Sequence, residues 1–203
     1  MKVLELFGGT CSFSNVAKEL GYETYTTDRV KFSRIDEVAD IFDFNYKKFK
    51  GNVDIIWASP PCTYFSVSSI GHHWNHDNTP KTQEAIYGME IVKKTVEIIE
   101  FIDPQYFFIE NPRGKLRKLD LLQHLNRQTV TYCQYGDKRR KPTDIWTNLT
   151  WTPRPMCNNG DSCHVKAPRG SSTGTQGMNY LKAKVPYELC KELLLNIETV
   201  TSQ

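Results

Sequence analysis

The sequence contains no apolar run near the ~18 residues that a helix needs to cross a bilayer, no internal repeat and no low-complexity tract. Those absences argue against a helical membrane span, a solenoid array and a disordered linker protein. The start, Met1-Lys2-Val3-Leu4-Glu5-Leu6, lacks the charged, apolar and small-residue succession of a secretory signal, so a cytosolic protein is expected. Cysteine is sparse. Six thiols, at positions 11, 62, 133, 157, 163 and 190, are scattered too widely for a disulfide framework. In a reducing compartment they read as free thiols, ligands or a nucleophile. Charge imbalance is slight, +3 over 203 residues, which permits a polyanionic partner without requiring one. With 39% hydrophobic and 24% charged residues, the chain suits one globular domain and a sizeable core.

Apolar runs at residues 2–7, 22–27, 54–58 and 106–109 read as strands. Between them, Ser12 to Leu20 and Thr82 to Phe101 have helical spacing, and Leu119 to Leu125 reads as a short helix. Pro186 to Ile197 is a last helix with Pro186 in its first turn. Strands alternating with helices imply a mostly parallel, doubly wound α/β sheet, in which ligands bind beyond the carboxyl ends of the strands. Gly8, Asp28, Cys62 and Glu110 all fall at such ends.

Three clusters carry chemistry. "LELFGGTCSFS" places Gly8, Gly9, Thr10 and Ser12 between a strand and a helix, where glycines let a nucleotide-like ligand approach the backbone. The dinucleotide pattern Gly-x-Gly-x-x-Gly is missing, so a nucleoside without a pyrophosphate fits better. Asp28 is positioned for ribose hydroxyls. In "SPPCTYFS", Pro60 and Pro61 fix two backbone angles just before Cys62, presetting a thiol on a stiff loop. In "IENPRG", Glu110 follows four apolar residues, a setting for a carboxyl that grips an amino group or holds a proton. Two basic runs, Arg113 to Lys118 and Lys138 to Lys141, read either as solvated surface or as polyanion contacts.

In this order, the three clusters resemble the first, fourth and sixth motifs of the DNA cytosine-5 methyltransferases. "YGDKRRKPTDIW" is similar to a degraded eighth motif and "AKVPYELCKELLLNI" to the tenth. The resemblance is to small, phage-like members and implies a Rossmann-like methyltransferase fold. It implies S-adenosyl-L-methionine as cofactor, held by Phe7, Gly8, Gly9, Thr10, Ser12, Asp28, Arg29, Asp40, Ile41 and Pro61. It implies Cys62 as nucleophile on carbon 6 of a flipped-out cytosine, with Glu110 on ring nitrogen 3 and the exocyclic amine. Double-stranded DNA would be met by Ser66, Arg113, Lys115, Lys138 and Lys141. The eighth motif's glutamine and two arginines fall on Arg139, Lys141 and Thr143, which leaves Arg139 or Arg140 to replace the cytosine-carbonyl contact. Thr63 stands after the nucleophile in place of glutamine, Pro112 replaces a valine, and Ala183 takes the place of a cofactor-contacting asparagine. An amino-methyltransferase and a non-catalytic nucleic-acid-binding relic are the competing readings. The chemistry is the same on DNA and RNA.

The organisation expected is a catalytic domain over 1–148, a reduced target-recognition insert over 149–180 and a C-terminal helix over 181–203. Where relatives carry a sizeable recognition domain, about thirty residues stand here. Sequence specificity is therefore loose, or a partner or homo-oligomer supplies it. Within the insert, Cys157, Cys163 and His164 could furnish three zinc ligands with Cys133 a conceivable fourth. The spacing is not that of a standard knuckle, and the reading adopted is a polar loop without metal. His72, His73, Trp74 and His76 are read as loop residues facing DNA, with a metal cluster as the alternative.

Overall fold

The computed structural model describes residues 1–165 and 183–201. In chain order these form β1 (Lys2–Leu6), α1 (Ser12–Glu19), β2 (Glu23–Asp28), β3 (Glu37–Val38) and β4 (Ile55–Ala58). Then come α2 (Ile70–His73), α3 (Gln83–Ile102), β5 (Tyr106–Pro112), β6 (Arg127–Thr131), β7 (Pro142–Thr147) and α4 (Tyr187–Thr201). The strands make one seven-stranded sheet in the order β3-β2-β1-β4-β5-β7-β6. Strands β1 to β5 run parallel to one another, and β7 runs antiparallel to both β5 and β6.

The central strands are apolar without a break because both faces are covered. Along β4, Ile55 and Trp57 join the cluster packed under α1 and α4, while Ile56 and Ala58 join the cluster packed under α3. Phe13 of α1 stacks on Trp57 at 4.6 Å, and Leu189, Leu193 and Leu194 of α4 are fully buried on the same side. On the other face, Ile91, Val92, Ile98 and Ile102 of α3 fill the space above Leu4, Leu6 and Ile56. The result is the doubly wound, Rossmann-like arrangement expected. Helix α3 starts where the Thr82 hydroxyl accepts from the Ala85 amide and stops at Asp103 in the left-handed region.

Several elements depart from expectation. Strand β5 runs on to Pro112, so Glu110 sits inside it, opposite Ile145 of β7. Leu119 to Leu125 is not an α-helix. Two 3-10 turns, Leu116–Lys118 and Asp120–Leu122, stand there instead. Strands β6 and β7 carry no clear apolar alternation because β7 buries polar groups. Asp144 in β7 is fully buried between the Arg117 guanidinium (3.1 Å) and the Thr129 hydroxyl (2.7 Å). Residues 149–165 are irregular, as read from composition, and 166–180 of the expected insert lie outside the described residues, as do 181, 182, 202 and 203. Among the described residues no helix is long and apolar enough to cross a membrane.

Candidate active site

Strand order reverses at β1, with β2 on one side and β4 on the other, and that is where an open α/β sheet offers a crevice. A cavity of about 670 Å³ lies there, within the usual span for small-molecule sites. Phe7, Gly8, Gly9, Thr10, Ser12 and Pro61 line one part of it. A smaller pocket shares Phe7 and Pro61 and is walled by Asp28, Arg29, Asp40 and Ile41. All ten residues expected to hold the cofactor therefore border two adjoining spaces. The glycines serve the turn: Gly9 has φ 47°, and a Cβ on Gly8 would come within 2.8 Å of the Ile35 side chain packed beneath it. Asp28 is fixed at the end of β2, where one carboxylate oxygen accepts from the Gly9 amide (3.0 Å) and the other from the Val30 amide (2.8 Å). Carboxylate oxygens have lone pairs beyond these two bonds.

Cys62, Glu110, Ser66, Arg139 and Lys141 line the other part of the larger cavity. The thiol begins a 3-10 turn, Cys62–Tyr64, and the Cys62 carbonyl accepts from the amides of Phe65 (3.0 Å) and Ser66 (2.9 Å). This turn is held by its neighbours. The Asn111 side chain, fully buried, donates to the Pro60 carbonyl (2.9 Å). The Lys115 amide donates to the Phe65 carbonyl (2.7 Å), and a Cβ on Gly114 would sit only 2.2 Å from that carbonyl oxygen. On the opposite side the Tyr64 ring covers Gly88 of α3, where a Cβ would meet it at 2.6 Å. Trp74 caps the turn, its indole N–H donating to the Tyr64 carbonyl (2.7 Å).

Glu110 is buried and accepts a hydrogen bond from the Tyr132 hydroxyl (2.9 Å). Burial, then the Glu110 charge, pushes the Tyr132 phenol well above its usual range, so it stays a donor to Glu110. The Lys141 ammonium lies 3.8 Å from Glu110 and over the Tyr132 ring at 4.5 Å. Cys62 is pushed up first by burial and then by the Glu110 charge, with Lys141 pulling the other way. Without substrate the resting form at neutral pH is thus the thiol.

The basic residues divide. Arg139 reaches the cavity rim, bonded to the Asp137 carboxylate through Nε (3.0 Å). Arg140 does not line the cavity; its guanidinium donates to the Cys157 carbonyl at 3.2 and 3.0 Å, because the Cys157 backbone passes closer to it than the site does. Lys115 is not a surface cation. It is 5% exposed and its ammonium holds the Asn78 side chain (2.8 Å), bracing the 70–80 segment. Arg113 and Lys138 are exposed. His73 and Trp74 face inward, His73 bonding the Thr82 hydroxyl at 2.7 Å, and the loop's histidines form no metal cluster among the described residues. Cys157, Cys163 and His164 do not line the cavity.

Sequence reasoning missed Glu5, whose carboxyl borders the cavity, accepts from the Ser14 amide (2.8 Å) and is raised by burial to about 7. The signal was an acid inside an otherwise apolar strand. It also missed Tyr132, Gly88 and Gly114, and it gave Lys141 to DNA when the side chain lies beside Glu110.

Two outcomes follow from this geometry. Gly114→Ala forces the Phe65 carbonyl to move, costing about 1–3 kcal/mol as overpacking does. Because a 1 Å misplacement of a reacting group costs on the order of 100-fold, turnover should fall at least that far while cofactor affinity, measured by calorimetry, holds. Equal loss of both would mean that Gly114 serves the fold and not the Cys62 turn. For the electrostatics, the pH dependence of Cys62 alkylation should move to lower pH in Glu110→Gln, which removes the carboxylate, and to higher pH in Lys141→Gln, which removes the opposing cation. Shifts in the same direction would contradict the assignment.

Residues 2–130 match the family model described as C-5 cytosine-specific DNA methylase. The "Probable DNA (cytosine-5)-methyltransferase" of Frog virus 3 (isolate Goorha) is 29% identical over 216 residues, covering 96% of this chain and 99% of the relative. Among solved structures, an E. coli prophage protein assigned as a DNA modification methyltransferase superposes with a TM-score of 0.50 at 16% identity, over 72% of this chain. The match takes in 46% of that longer chain, and it speaks to the fold alone. With the family model spanning well over half its length, the chain belongs to the C-5 cytosine-specific DNA methylase family.

Proposed function

We propose that the chain transfers a methyl group from S-adenosyl-L-methionine to carbon 5 of a cytosine drawn out of double-stranded DNA, with Cys62 as a transient covalent nucleophile. The observation that carries this is the convergence of Cys62 and Glu110 in one cavity that continues along Gly8 and Gly9 and adjoins the Asp28 pocket. S-adenosyl-L-methionine, when bound, supplies an electrophilic methyl group. Gly8 and Gly9 would lie against it, Asp28 would accept from its ribose hydroxyls, and Asp40 and Ile41 would wall the smaller pocket.

The chain's own residues account for the remaining chemistry. Cytosine is a poor nucleophile at carbon 5 until carbon 6 gains a substituent. The Cys62 sulfur adds to carbon 6 and its proton passes to solvent. Glu110, protonated on engaging the base, gives that proton to nitrogen 3 as the ring electrons shift there, and accepts from the exocyclic amine through its other oxygen. Tyr132 fixes Glu110 in place for this. The raised Cys62 thiol fits such a sequence. A base that engages Glu110 removes the negative charge opposing thiolate formation, so attack is coupled to correct binding. Once carbon 5 carries the methyl group, loss of its proton to solvent restores the 5,6 double bond and releases the Cys62 sulfur. The target atom is inaccessible in a stacked duplex, which requires base extrusion. Exposed Arg113 and Lys138 would meet phosphates, Arg139 or Lys141 the cytosine carbonyl, and a partner or second copy would supply sequence specificity that a short insert does not.

The amino-methyltransferase alternative needs an aromatic residue stacked on the base just after the proline turn. Tyr64 is packed on Gly88 and does not line the cavity, which counts against it. Mass spectrometry of nucleosides from DNA of cells expressing the protein tests the proposal. It should show 5-methylcytosine for the wild type and none for Cys62→Ser, whose hydroxyl is scarcely ionised. 4-Methylcytosine or 6-methyladenine as the product would overturn it.

A further inference from the structure

Away from the cavity, Cys133, Cys157, Cys163 and His164 bring their ligand atoms within 4.8 Å of one another. Cys133 belongs to the 3-10 turn Tyr132–Tyr135 that follows β6, and the other three come from the insert. The sulfurs of Cys133 and Cys157 are 3.0 Å apart, those of Cys163 and Cys133 3.6 Å apart. His164 Nδ1 lies 3.4 Å from the Cys163 sulfur and 3.8 Å from that of Cys157. A tetrahedral zinc with bonds of about 2.3 Å to sulfur and about 2.0–2.1 Å to nitrogen has ligand edges of roughly 3.5–3.8 Å. The Cys163–Cys133 and the two His164 separations lie near that range, and the Cys133–Cys157 pair would open from 3.0 Å to admit the ion. We infer that these four residues form a structural zinc site of the Cys₃His type, which fastens the insert to the turn carrying Tyr132.

The local packing leaves few other ways to order this segment. From 155 to 165 only Cys157 is buried, at 3% exposed, so apolar burial does not offset the roughly 1–2 kcal/mol per residue lost on fixing the backbone. The loop nevertheless bends back on itself. The Asp161 carboxylate accepts from the Asn158 amide (2.6 Å), and Gly160 takes φ 102°, which returns Cys163 and His164 to the sulfurs. Outer contacts orient the set. The Cys157 amide donates to the Thr131 hydroxyl (3.1 Å), and the Val165 amide to the Lys138 carbonyl (2.8 Å). Three thiolates and a neutral imidazole around a divalent cation leave one net negative charge. Arg140 holds its guanidinium beside it on the Cys157 carbonyl at 3.0 and 3.2 Å. That gives Arg140 a task distinct from the cytosine contact. A soft, closed set of this kind selects zinc over the oxygen-seeking cations.

Such a metal stands in for a core that a short insert is too small to build. It also joins the recognition remnant to the residue next to Tyr132, which holds Glu110.

The test is metal analysis of the full chain purified without added zinc or tags that bind metal. About one zinc per chain should copurify with wild type and with Cys62→Ser. Cobalt added to chelator-stripped protein should give the strong visible absorption of tetrahedral coordination together with thiolate-to-cobalt charge transfer. Cys163→Ser changes an exposed residue, so folding should survive. Its affinity should drop by at least the ~10- to 100-fold that losing an outer contact alone costs. Zinc removal should speed amide exchange across 131–141 and 155–165 in the wild type. Substoichiometric zinc with no cobalt spectrum would overturn the inference, and so would a Cys133–Cys157 disulfide found by mass in the freshly isolated protein.

Discussion

The whole site depends on how closely one backbone approaches another. The turn that carries Cys62 lies against the end of β5 so tightly that no side chain fits at Gly114, where a Cβ would enter the Phe65 carbonyl. The same carbonyl accepts from the Lys115 amide, and the side chain of Asn111 in β5, three residues before Gly114, donates to the Pro60 carbonyl. Pro60 and Pro61 restrict the loop from within, and these contacts fix it from outside. The thiol and Glu110 are therefore held in place by the fold's own contacts, which is the kind of preorganisation that lowers the entropic cost of a reaction.

Within that frame the electrostatics oppose ionisation of Cys62. Burial and Glu110 oppose the Cys62 thiolate, and Lys141 partly compensates. Tyr132 pins Glu110 from the turn that follows β6, and Lys141 reaches it from the residue just before β7, so the antiparallel pair at this end of the sheet borders the site and is not only a flank. That is the physical link between the cavity at the strand ends and the segment that follows β7. The Tyr132–Tyr135 turn touches both.

Much of this was legible. The double burial of β1, β4 and β5 leaves continuous apolar runs, and α3 has a plain 3.6-residue stripe with a threonine cap, so these elements and the residues at their ends could be read directly. Strand β7 was hidden because Thr143, Asp144 and Thr147 are buried by pairing with other polar groups, which erases the alternation a half-buried strand shows. Side-chain direction was equally hidden. Four consecutive cations at 138–141 look alike in sequence, yet Arg139 turns to Asp137, Arg140 to Cys157 and Lys141 to Glu110. Lys115 looked like a phosphate contact and is buried as a loop brace. The role of Gly114 depends on a residue far upstream and has no local signature.

The central claim is that Cys62 forms the covalent bond to cytosine, and its most direct measurement is a trap. A duplex with 5-fluorocytosine in place of cytosine blocks the last proton loss, so the adduct accumulates when S-adenosyl-L-methionine is present. Peptide mapping of the denaturation-resistant complex should place the oligonucleotide on the peptide containing Cys62, in wild type and in Cys163→Ser alike. An adduct on another cysteine, or none despite methylation of the ordinary duplex, would contradict the account.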